Sequence, residues 1–143
     1  MYRGIRNQYF IREMMQGEIH ILPTDNTPEF LFSADGMLKI RGRGLYVNKT
    51  KETEQVENWI DEYLLNPAET TYVTIAFEYL NSFSTTVLVT ILRKLSQVIL
   101  KSDKLIIQWY YEEGDEDILE RGEYISSTFN LPIEFIPTHY ISD

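Results

Sequence analysis

Four hydroxyl residues, Ser82, Ser84, Thr85 and Thr86, fall within five positions directly after Tyr79-Leu80-Asn81. There an alternating pattern (Val73, Ile75, Phe77, Tyr79) gives way to a helical one (Val87, Leu88, Ile91, Leu92, Leu95, Val98, Ile99). The first N–H groups of a helix lack intrahelical partners and carry a partial positive charge. A hydroxyl at that place can cap the helix. It can also carry a phosphate, because the free amides and the dipole stabilise a dianion. Residue types alone favour the cap, with Asn81, Ser82 or Ser84 in that part.

A second cluster is Glu112-Glu113-Gly114-Asp115-Glu116-Asp117, five acids in six positions before another helical pattern. Acids in a first turn complement the dipole, so a solvated helix start is the plain reading. The functional readings are a divalent-cation site, which needs converging hard oxygens, or an acidic patch for a basic partner. The spacing is not that of an EF-hand loop. His20 and His139 are far apart and have no carboxylate or serine at a diagnostic spacing. No nucleophile elbow, zincin helix, P-loop or dinucleotide fingerprint is present. Gly42-Arg43-Gly44 is too short for a phosphate loop and reads as a hairpin exit. Trp59 and Trp109 fit a core better than a stacking platform. No cofactor is called for.

Composition narrows the partners. The 143 residues carry 13 Lys+Arg against 22 Asp+Glu, a net charge of −9. That argues against nucleic acid and anionic lipid, which select basic faces. With 43% hydrophobic residues the chain can form one real core. Without cysteine there is no disulfide, thiol nucleophile or thiolate metal site. No apolar run reaches the roughly 18 residues of a membrane span. Residues 1–17 hold Arg3, Arg6 and Arg12 without a signal-peptide pattern. A cytoplasmic protein with no membrane insertion is expected.

The elements that must position these clusters follow from periodicity. Residues 1–17 form an appendage, with a short amphipathic helix through Tyr9, Phe10, Ile11, Met14 and Met15. One domain is expected over 18–143. It opens with a short strand near 19–22 and a hairpin, 28–33 and 37–42, turned by Asp35-Gly36. A helix follows Thr50, with Val56, Trp59, Ile60, Tyr63 and Leu64 on one face. The strand at 73–79, the helix to about Leu100, and the apolar run 105–111, read as a strand covered on both faces, come next. A helix over 115–129 and a strand over 132–136 complete the order. The fold class is α/β: a mixed, largely parallel sheet with an N-terminal hairpin and about three helices.

Taken in order, Thr27-Pro28-Glu29-Phe30, Asp35-Gly36-Met37-Leu38-Lys39-Ile40-Arg41-Gly42-Arg43, Glu78-Tyr79-Leu80-Asn81-Ser82-Phe83-Ser84 and Trp109-Tyr110-Tyr111-Glu112-Glu113-Gly114-Asp115-Glu116-Asp117 resemble the SiaC family of bacterial regulatory phosphoproteins. The resemblance spans about residues 20–137. It implies a STAS-like fold, that of anti-sigma-factor antagonists, and a non-enzymatic partner-switching role. A kinase of the histidine-kinase-like ATPase fold would phosphorylate the residue after the Asn of Tyr-Leu-Asn-Ser, here Ser82. A PP2C-type phosphatase would reverse this, and the unmodified form would bind a target such as a diguanylate cyclase. Asn81, Ser82, Phe83, Ser84, Thr85, Glu112, Glu113 and Asp115 are the expected partner-binding residues. Phe83, Thr86 and Leu45-Tyr46-Val47 depart from the family pattern. Alternative readings are a constitutive interaction module in which Ser82 is only a cap, and a small metal-dependent enzyme using residues 112–117.

Overall fold

Each change of hydrophobic period in the sequence becomes a change of element. The computed structural model describes residues 17–101 and 103–141. Within them the strands are β1 (Ile19–Ile21), β2 (Glu29–Phe32), β3 (Met37–Gly44), β4 (Thr70–Leu80), β5 (Lys104–Glu112) and β6 (Ile133–Thr138). The helices are α1 (Lys51–Tyr63), α2 (Ser82–Leu95), continued by a 3-10 segment (Ser96–Lys101), and α3 (Glu116–Phe129). The amphipathic helix expected near Tyr9–Met15 lies outside the described residues. Gly17 is tied to the fold, its carbonyl accepting from Trp59 Nε1 at 2.8 Å.

The strands lie in the sheet in chain order, β1-β2-β3-β4-β5-β6. The first three pair antiparallel and the last four parallel. The hairpin turns at Ser33–Gly36, where Gly36 takes φ +99°. A Cβ there would meet the Thr70 carbonyl oxygen at 2.4 Å, so glycine is required twice over.

Because the parallel strands never reverse order, right-handed crossovers carry α1, α2 and α3 to the same face. That face holds the core. Phe30, Phe32, Leu38, Ile40, Val73, Ile75, Phe77, Ile107 and Trp109 from the sheet meet Val56, Ile60, Tyr63, Leu88, Ile91, Leu92, Leu95, Ile118 and Ile125 from the helices. The opposite face is open to solvent, with Met37, Tyr72 and Ile106 exposed in one cross-strand row. The expectation that 105–111 is covered on both faces is therefore corrected. Ile106 and Tyr110 belong to the open face and pair laterally with Tyr72 and Ile136. Their apolar character serves cross-strand contact rather than a second helix layer.

The hairpin pairing ends where expected, at Glu29 and Arg41 just before Gly42-Arg43-Gly44, while β3 runs on through these residues to Gly44 beside β4, with Gly42 at φ +119° and a bulge that places Glu78 unpaired between Phe77 and Tyr79. One further reading changes. The continuous helical segment Ser82–Lys101, 20 residues, is also long and apolar enough by composition to cross a bilayer. Its apolar stripe, Leu88, Ile91, Leu92, Leu95 and Val98, is buried against the sheet, which accounts for the composition by core packing.

α3 approaches the sheet at Gly122, where an added Cβ would lie 2.7 Å from both Trp109 Cε2 and Phe135 Cε1. Gly122→Ala should therefore cost stability, about 1–2 kcal/mol net of the roughly 1 kcal/mol that Ala gains in helix propensity. Urea unfolding at unchanged m-value checks this. A neutral or stabilising result would show that α3 can move off the sheet freely.

Candidate functional site

Parallel pairing brings the C-terminal ends of β3 and β4 beside the starts of α2 and α3. Asn81 is the junction. Its backbone is extended (φ −85°, ψ 175°), and it is the N-cap of α2, with Oδ1 accepting from Ser84 N–H at 2.8 Å. The other end of the same carboxamide donates from Nδ2 to the Tyr46 carbonyl at 2.9 Å. Ser84, 4% exposed, accepts from Tyr46 N–H at 2.9 Å. The loop after β3 is thus pinned to the first turn of α2 at both polar groups of Tyr46.

This division of labour leaves Ser82 free. It is the first residue of α2, exposed, and among the described residues its hydroxyl makes no hydrogen bond. Asn81 takes the capping part that sequence alone left open among three residues. Thr85 N–H and Oγ1 both go to the Asn81 carbonyl, at 3.0 and 2.8 Å. The amides of Ser82 and Phe83 remain without intrahelical partners, as at any helix start. α2 has no acid in its first turn, whereas α1 has Glu52 and Glu54 and α3 has Glu116 and Asp117.

The expected partner-binding residues do not all share one surface. Ser82 and Phe83 are exposed, and Thr85 is half-buried. Ser84 is corrected: its hydroxyl is buried and spent on Tyr46, so it supports the surface from beneath. Asp115 caps α3, accepting from Ile118 N–H at 3.1 Å, and lines a groove with Asn81 and Tyr79. Glu112 and Glu113 turn the other way. Glu112 Oε1 accepts from Ile141 N–H at 3.2 Å, and Glu113 stands 3.8 Å from His139 Nδ1, so both hold the segment after β6. Among the described residues no three His, Asp or Glu side chains cluster as a metal site. His20 pairs with Glu29 at 2.8 Å, far from this junction in the sheet.

Sequence reasoning missed several neighbours. Tyr79 and Val47 are exposed beside the junction, and Arg43 stacks over the Tyr79 ring at 4.7 Å. Arg121 on α3 lines both grooves next to Asn81 and Ser82. Its Nε pairs with Asp117 at 3.3 Å, an exposed i,i+4 contact worth only about 0.3–0.5 kcal/mol. The i,i+4 spacing of Asp117 and Arg121 was visible in the sequence. That α3 faces Ser82 was not.

A family model described as SiaC family regulatory phosphoprotein matches residues 21–138. The chain belongs to the SiaC family. Three solved structures share its fold. Apo-SiaC from Pseudomonas aeruginosa is 21% identical, covering 83% of this chain and 98% of that one, with a TM-score of 0.73. A crystal structure of the diguanylate cyclase SiaD in complex with its activator SiaC, from the same organism, matches at 21% identity over 84% of this chain and 99% of that one, with a TM-score of 0.74. A further SiaC structure from that organism is 20% identical over 85% and 99%, with a TM-score of 0.74. No curated protein matches the chain. The solved SiaC structures share the expected mixed, largely parallel α/β architecture, and family membership makes this a regulatory phosphoprotein by family.

Removing the pins should cost more than removing the free hydroxyl. Asn81→Ala and Ser84→Ala should each lose about 1–3 kcal/mol, the former as a lost cap and both by orphaning polar groups of Tyr46. Ser82→Ala should stay within about 0.5 kcal/mol. Chemical denaturation of the three variants checks the ranking, and an equal loss at Ser82 would mean that its hydroxyl is structurally engaged. Burial, assisted by Glu52, pushes the Tyr46 phenol from its ordinary 10.0 up to about 12. Between those values the unfolded chain holds fewer protons, so stability falls as pH rises. The contribution is complete below pH 10 and is lost through pH 12. Tyr46→Phe should remove this share of the alkaline loss, about 1 kcal/mol or less at pH 11 because water partly screens the phenol. Urea midpoints of both proteins at pH 8 and 11 measure it.

Proposed function

We propose that this protein is a non-enzymatic switch that binds a partner protein in its unmodified form and releases it when Ser82 is phosphorylated. The supporting observation is the free, exposed hydroxyl at the first position of α2, with Asn81 supplying the cap. The reading of Ser82 as nothing more than a cap loses its main support there. Phosphorylation by a kinase of the histidine-kinase-like ATPase fold and removal by a PP2C-type phosphatase follow from the family resemblance. A diguanylate cyclase is the proposed target class, in keeping with the SiaD–SiaC complex among the relatives.

The energetics suit release. A phosphate adds about −1.5 to −2 charges. The start of α2 accommodates an anion in the free protein. Phe83, the next residue in the chain, is exposed, and exposed Tyr79 lines the adjoining groove; a partner seated across them would bury that dianion. Burying an unpaired charge costs several kcal/mol. About 1.4 kcal/mol is already tenfold in affinity, so one phosphate suffices. The proposed docking surface comprises Phe83 and Thr85 with Tyr79 and Asp115, supported from below by Asn81 and Ser84. Glu112 and Glu113 extend it only to a partner that also reaches the end of β5.

Binding of Ser82→Ala and Ser82→Asp to a cognate diguanylate cyclase, measured by calorimetry, tests the switch. Ala should retain the affinity of the unmodified protein, and Asp should weaken it about tenfold or more. Equal affinities would leave a constitutive binding module. Heat on titration with a divalent cation would instead favour the metal-dependent enzyme.

A further inference from the structure

We propose that Arg121 is a built-in receptor for the phosphate on Ser82, and that it gives up Asp117 to take it. The proposal rests on the reading of Ser82 as the modified residue and concerns where its phosphate goes. Ser82 and Thr85 of α2 line one open groove with Asp117, Glu120, Arg121 and Tyr124 of α3. The adjoining groove adds Glu78 and Asp115. Among the described residues lining these grooves, Arg121 is the single cation among four carboxylates.

Three features suit Arg121 to the exchange. Only its Nε is engaged, at 3.3 Å from Asp117 Oδ2, and its terminal N–H groups have no partner among the described residues. Asp117 is a weak competitor, because its side chain is 75% exposed and an exposed helix pair is screened by water. A phosphate dianion offers a guanidinium two parallel charge-assisted hydrogen bonds, which a singly charged, solvated carboxylate does not match. The exchange would tie α2 to α3 across the groove and leave Asp117 as an uncompensated carboxylate beside the docking surface. Phosphorylation would then change the charge at two places, the serine and the side chain it displaces.

The test is a phosphorus NMR titration of full-length protein carrying phosphoserine installed at position 82 during translation, so that no kinase is needed. The second ionisation of a phosphoserine lies near pH 6. In the folded protein Arg121 should hold it below the value for the same protein in urea. Arg121→Gln should raise it by about half a pH unit or more. Arg121→Met, which keeps the apolar stem of the side chain, should do the same and serves if Gln disturbs α3. Asp117→Asn should lower it when Arg121 is present, and by less in the Arg121→Gln background. A phosphate that titrates identically with and without the guanidinium overturns the proposal. Failure of the switch itself would appear elsewhere, as unchanged partner affinity of the phosphorylated protein, and would leave this titration unaffected.

Discussion

The Asn81 carboxamide is the contact on which the site depends. One end caps α2 and the other holds the Tyr46 carbonyl, so a single side chain fixes a helix start and the loop beside it. Ser84 closes the arrangement from below by accepting from the Tyr46 amide. With both jobs done by neighbours, the hydroxyl at position 82 has no structural duty. Under the proposed switch, a group that is modified and restored repeatedly is best kept out of the hydrogen-bond network that holds the fold. Otherwise each modification would cost stability comparable to a buried hydrogen bond.

The sheet provides the second condition. Strand order without reversal puts every crossover helix on one face. The starts of α2 and α3 therefore emerge at the same end of the sheet, after β4 and β5. Ser82 and Tyr79 line two adjoining grooves on the rim at that end, both bordered by the acid-rich first turn of α3. The close approach of α3 at Gly122 keeps Arg121 next to that rim. The same topology leaves the other sheet face open, where Met37, Tyr72 and Ile106 cover one another laterally.

The acidic stretch 112–117 shows how one cluster in sequence separates in space. Asp115 and Asp117 belong to the groove, the first as a cap and the second as the partner of Arg121. Glu112 and Glu113 sit at the end of a strand and face the C-terminal segment. A run of like charges is more easily accommodated when its members find different partners than when they converge. The plain reading of a helix start holds for Asp115, Glu116 and Asp117, whereas Glu112 and Glu113 hold the chain after β6.

The sequence by itself determined the elements, their order and the family. Periods of two and 3.6 residues mark the strands and helices, Asp35-Gly36 marks the hairpin, and the ordered motifs around Asn81-Ser82 mark the family, because all of these depend on neighbours along the chain. Only the tertiary structure decided which hydroxyl was free. Asn81, Ser82 and Ser84 are equally plausible caps by residue type, and the choice among them depends on Tyr46, 35 to 38 residues away. The one-sided cover of β5 and the placement of Arg121 beside Ser82 were hidden for the same reason. A side chain's face and its partner across a groove are set by crossover handedness and packing, which leave no local trace in the order of residues.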